Sequence, residues 1–109
     1  MNVRLYAWQR LTAASMVPLM FVHLAVIFYA TRKGMTAADI LARTRGSTVW
    51  AAFYGFFVVA AAIHAGIGVR NILIEWSPLK KRDCGLLAVA FASLLVVLGM
   101  RAVAAVILS

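Results

Sequence analysis

Long apolar runs make up most of this chain, so its chemistry rests on the few ionisable side chains set inside them. These are His23, His64, Arg70, Glu75 and Arg101, with Arg10 near a boundary. Such groups are costly at membrane depth and persist where they have a partner or a task. His64 carries the most information. It sits in Ala61-Ala62-Ile63-His64-Ala65-Gly66-Ile67-Gly68, among small residues that let a flat group or another backbone come close. Gly68 lies one turn further on, on the same face. An imidazole with a glycine below it suits a haem: the ring reaches the iron and the glycine makes room for the porphyrin. It suits equally a buried histidine hydrogen-bonded to a neighbouring helix, and the residues alone leave both readings open.

The spacing disfavours His23 and His64 of this chain sharing one iron. His23 lies eight residues before Thr31 and His64 seventeen after Ser47, the two ends of one connection. At ~1.5 Å per residue their depths differ by roughly 13 Å. A second axial ligand must therefore come from a partner, and His23 by itself reads as a helix-packing or near-surface histidine. Arg70 and Glu75 fall in the last turns of the second apolar segment, where both can snorkel to the interface. Arg70 can instead hold a propionate in a bidentate fork. Arg10 is either a topology anchor or a donor to the carbonyl oxygens of a quinone. Trp8, Trp50 and Trp76 are accounted for by an aromatic belt.

The elements that must position these residues follow from hydropathy. The 109 residues are 65% hydrophobic and 13% charged, with mean hydropathy +0.96. A soluble domain of this size needs more polar surface. The reading is an all-α integral membrane bundle of three transmembrane helices, about 5–30, 47–77 and 84–108, forming a single domain over 1–109. Each segment exceeds the ~20 residues that cross ~30 Å of hydrocarbon, and no ten-residue alternation supports strands. Between the first two, 36–44 reads as a short interfacial helix capped by Thr36, and Pro78 stops the second. The first segment reads as a retained helix and not as a cleaved signal. There is no internal repeat.

The net charge of +8 does not indicate nucleic acid, because the basic residues flank apolar runs. Arg4, Arg10, Lys80, Lys81 and Arg82 share one side, and Arg32, Lys33, Arg43 and Arg45 the other. That balance favours a cytoplasmic N-terminus in a bacterial cytoplasmic membrane. The single cysteine, Cys84, excludes a disulfide or an iron–sulfur ligand set within the chain and reads as an inert small residue.

Two motifs converge at this point. Trp8-Gln9-Arg10-Leu11-Thr12-Ala13, with Pro18, resembles the W-x-Q-R-x-T-A opening of the first helix in small anchor subunits of succinate dehydrogenase and fumarate reductase. His64, Gly68, Arg70 and Glu75 resemble their second-helix motif, H-x-x-x-G with an acidic residue at its end. Nearly the whole chain is covered. The resemblance implies a haem b shared with a second anchor subunit, each chain giving one histidine, here His64. It implies iron–sulfur and flavoprotein subunits docked on the cytoplasmic side, and a membrane quinone as electron acceptor. Carried over, Arg10 lies near quinone or propionates, Arg70 and Gly68 near the haem, and Glu75 and Trp76 near the quinone. Glu75 replaces the usual Asp and Trp76 the Tyr of D-type anchors; the first helix is D-like, while Arg70 and Glu75 are C-like features. The chain is then a non-catalytic subunit that contributes to the quinone site.

Three other classes compete. Another b-type membrane cytochrome would use His64 with different soluble partners. A small multidrug-type transporter needs a carboxylate in its first helix, which is absent here, and a fourth helix. A structural or assembly peptide would make His64, Gly68 and Arg70 a coincidence. The anchor reading stands above all three.

Overall fold

The polypeptide folds as α1 (Val3–Lys33), α2 (Ala37–Thr44), α3 (Thr48–Trp76) and α4 (Lys81–Ile107). The structure, a computed structural model, describes residues 3–108. Helices α1, α3 and α4 have 31, 29 and 27 residues and are apolar enough to cross a membrane. At ~1.5 Å per residue each outreaches ~30 Å of hydrocarbon. The fold is therefore an all-α membrane bundle, as its hydropathy implies.

Two helices run past the apolar segments, while α3 stays within its own. α1 continues to Lys33, and α4 begins at Lys81, three residues before 84. Apolarity marks where a helix is buried, not where it stops, and Lys and Arg propagate a helix as well as Leu does. What stops α1 is a backbone device. Gly34, at φ 66, donates to Thr31 and Met35 donates to Ala30. This is a Schellman closure that needs a left-handed residue. Thr36 then opens α2 with a capping box: its hydroxyl accepts from the Asp39 N–H at 3.2 Å, and the Asp39 carboxylate accepts the Thr36 N–H at 2.9 Å. The Thr36 backbone bond, with its hydroxyl and then Arg43, holds the Asp39 carboxyl below its ordinary pKa. The expected short helix is thus present with the expected cap.

α2 and the loop after it also hold the C-terminal end of α4. Buried Thr44 donates to the Val106 carbonyl at 2.7 Å, and the Gly46 N–H donates to Ile107 at 2.8 Å. The carbonyls at a helix C-terminus lack intrahelical partners, and α2 with its loop supplies them for α4. Ser47 caps α3 by accepting from Trp50. At the opposite membrane face, Ser77 ends α3 just before Pro78, and its Oγ accepts from the Leu79 N–H.

α3 is the central helix, packed on α1 and on α4. The α3–α4 seam is built from small residues: Ala62, Gly66, Cys84 and Ala88 are buried there. A Cβ on Gly99 would lie 2.5 Å from Cγ1 of Val58, so the glycine is what permits that approach. Large apolar side chains instead face outward, among them Phe21 at 70% and Phe28 at 66% exposure. Lipid or a partner subunit must cover them, since water would not.

Candidate functional site

The α1–α3 contact brings the two motifs together. Thr12, in the first turns of α1, is 5% exposed, and its Oγ1 lies 3.4 Å from Nδ1 of His64 on α3. The same Oγ1 lies 2.8 Å from the Trp8 carbonyl and 3.1 Å from that of Gln9. His64 itself is half-buried. Its other ring nitrogen, Nε2, has no hydrogen-bond partner among the described residues. One turn further along α3, a Cβ on Gly68 would come within 3.7 Å of Gln9 Nε2. Gln9 Oε1 is buried with no partner. His64, Gly68, Gln9 and Thr12 therefore form one constellation across two helices.

The remaining candidates are distributed around it. Arg70 follows His64 by six residues, a third of a turn off its face at ~100° per residue. It lines a different cleft, about 460 Å³, with Leu5 and Trp8 of α1, Gly66 of α3 and Gly85 and Ala88 of α4. Its Nη1 is buried and has no partner. Arg10 is exposed and lies over the Tyr6 ring at 5.9 Å, on a shelf made by α1 residues alone. Glu75 is exposed, and Trp76 is 83% exposed. Arg10, Arg70, Glu75 and Trp76 thus lie toward one end of the bundle, but the fold does not gather them into a single pocket. Arg101 is exposed on α4, and Cys84 is fully buried with Sγ toward the Leu79 carbonyl.

His23 lies apart from His64. It stands edge-on to Tyr54 and Phe57, with ring centroids at 6.0 and 5.5 Å, and its buried Nδ1 has no partner. Those neighbours precede His64 by seven and ten residues, which is roughly 10–15 Å along α3. The two imidazoles are at different depths, in line with the count along the chain. With Val58, Ala61, Leu95 and Gly99, His23 lines a cleft of about 420 Å³. Among the described residues, no group of three His, Cys, Asp or Glu side chains could hold a bare metal ion. Thr12, Gln9 and Tyr54 had no individual role in the sequence reading. Thr12 and Gln9 were visible only as letters of the first-helix motif.

Chemically, a half-buried imidazole held on one nitrogen and open on the other is a monodentate ligand. A buried guanidinium without a partner is an anion or carbonyl receptor. A model of the succinate dehydrogenase/fumarate reductase transmembrane subunit family matches residues 2–100. No curated protein and no solved structure matches the chain.

Proposed function

The chain belongs to the succinate dehydrogenase/fumarate reductase transmembrane subunits, and from that premise we propose that it is a haem b-binding anchor passing electrons between an iron–sulfur subunit and a membrane quinone. The observation that carries this reading is His64: Nδ1 faces a buried hydroxyl and Nε2 has no partner within the described chain. These residues fit a haem. Gly68, one turn from His64, and Ala65, beside it, are small and only half-buried, which allows a planar group close to that face of α3. His23, packed on Tyr54 and Phe57, is at the wrong depth to join His64, so any second ligand would have to come from a second anchor subunit. A haem held there by His64 would supply a one-electron relay.

The chain's own residues do the rest. His64 sets ligand strength. Arg70, with an unpaired buried N–H, binds a propionate and disfavours loss of that anion. Arg10, Glu75 and Trp76 sit toward the end of the bundle that carries the N-terminus and Lys80–Arg82, which is the cytoplasmic side of a bacterial cytoplasmic membrane. There they contribute donors and a proton-carrying carboxyl to a quinone pocket completed by neighbouring subunits. The chain binds no dicarboxylate itself; a flavoprotein subunit does that.

Purification through a tag on this chain tests the reading. A flavoprotein, an iron–sulfur protein and a second small membrane subunit should co-purify, and succinate should reduce a b-type α band in the complex. A chain that purifies without large soluble subunits would overturn the assembly. An intact complex with no b-type band would overturn the haem assignment alone.

A further inference from the structure

Within the described chain, His64 is held through one ring nitrogen, and the group that holds it is a hydroxyl with a single proton to give. The Oγ1 of Thr12 lies 2.8 Å from the Trp8 carbonyl oxygen, 3.1 Å from that of Gln9 and 3.4 Å from Nδ1 of His64. A threonine inside a helix gives its proton to the carbonyl one turn back, and the 2.8 Å contact is that bond. With its proton committed, Oγ1 meets the imidazole as an acceptor. The bond at 3.4 Å therefore runs from the His64 Nδ1–H to Oγ1. A neutral imidazole protonated on Nδ1 carries its free lone pair on Nε2, the nitrogen that the chain leaves open.

We infer that Thr12 is a positioning residue for His64, fixing the ring's tautomer and plane so that Nε2 presents a lone pair to iron. This rests on the reading of His64 as an axial haem ligand and states what makes the histidine competent. The opposite tautomer would put an N–H where the metal bond has to form. The same acceptor makes the ring a stronger donor, which favours ferric over ferrous iron. Thr12 is 5% exposed, so water does not readily take its place. The requirement ties the α1 motif to the α3 motif: the register of one helix against the other decides whether the ligand is armed.

The test uses the whole complex carrying Thr12→Val, which keeps the shape and removes the oxygen, and Thr12→Ser, which restores it. Thr12→Val is expected to weaken haem retention about tenfold, the size typical of lost outer-shell partners. It should also raise the haem midpoint potential, each tenfold change in the ferric-to-ferrous ratio being ~59 mV, and change the ferric electron-paramagnetic-resonance g values as the ring plane loosens. Thr12→Ser should restore all three. A valine variant with wild-type haem content, potential and g values, in a complex whose haem is lost in His64→Leu, would overturn the inference and leave the ligand reading standing. A wild-type complex without haem would overturn both.

Should the valine chain fail to assemble, the wild-type complex still decides. With the haem in its diamagnetic, low-spin ferrous form, ring-15N-labelled His64 should show a proton on Nδ1 that exchanges slowly with deuterium. A ring protonated on Nε2, or an Nδ1 proton lost at once to solvent, would overturn the inference.

Discussion

At His64 the two ring nitrogens have different fates: Nδ1 meets Thr12, and Nε2 has no partner among the described residues. That asymmetry could not be read from the sequence. His64 stood out because an imidazole in an apolar helix is rare, whereas a threonine there is ordinary. The partner of Thr12 is fifty-two residues away, and the register between two helices is written in neither segment alone. Arg70 follows the same logic in reverse. Its position was legible, but its buried, unpartnered Nη1 was not. An unpaired buried charge is unfavourable until an anion or carbonyl reaches it. Arg70→Met keeps the length and removes the fork. In the assembled complex it should lower haem retention roughly ten- to hundredfold, the equivalent of one charge-assisted hydrogen bond, as read by haem-to-protein ratio after purification. Haem content and quinone turnover both at wild-type level would remove Arg70 from the account.

At the scale of elements, the α3–α4 seam depends on the absence of side chains. A methyl on Gly99 would sit 2.5 Å from Cγ1 of Val58 and 2.9 Å from Cγ2. β-Branched Val58 has little freedom to turn aside in a helix, so Gly99→Ala should overpack the seam at about 1–3 kcal/mol. The expected outcome is a complex that dissociates several degrees lower in a detergent melt. Gly55→Ala, whose new methyl meets nothing within 4 Å in this chain, is the matched control. Equal melting of the two variants would contradict the packing. The existence of the three spanning helices was legible because apolar length alone specifies it. Helix ends were less so: Lys81 and Arg82 extend α4 past its apolar limit. The α2 cap was legible because Thr36 and Asp39 form a local pattern. The pairing of Thr44 and Gly46 with the end of α4 was not, since it joins residues some sixty apart.

For the whole molecule, three spans put the N-terminus and the α3–α4 link on one face, and α2 with the C-terminal end of α4 on the other. The proposed orientation, which follows the charge balance, puts the first face in the cytoplasm. Cys84 is fully buried, so the native chain offers a silent background for single-cysteine labelling. A cysteine at Lys81 should react with a membrane-impermeant maleimide only in inside-out vesicles, and one at Arg45 only in right-side-out ones. The reverse pattern would invert the topology and move the docking face of the soluble subunits. The central claim, that this chain carries one axial ligand of a haem shared between two anchors, is tested most directly by a dithionite-reduced minus oxidised spectrum of the purified complex, with and without His64→Leu. The account expects a sharp low-spin b-type α band in the wild type, lost or shifted in the variant while all subunits remain on the gel. A band of unchanged position and height in the leucine complex would contradict it.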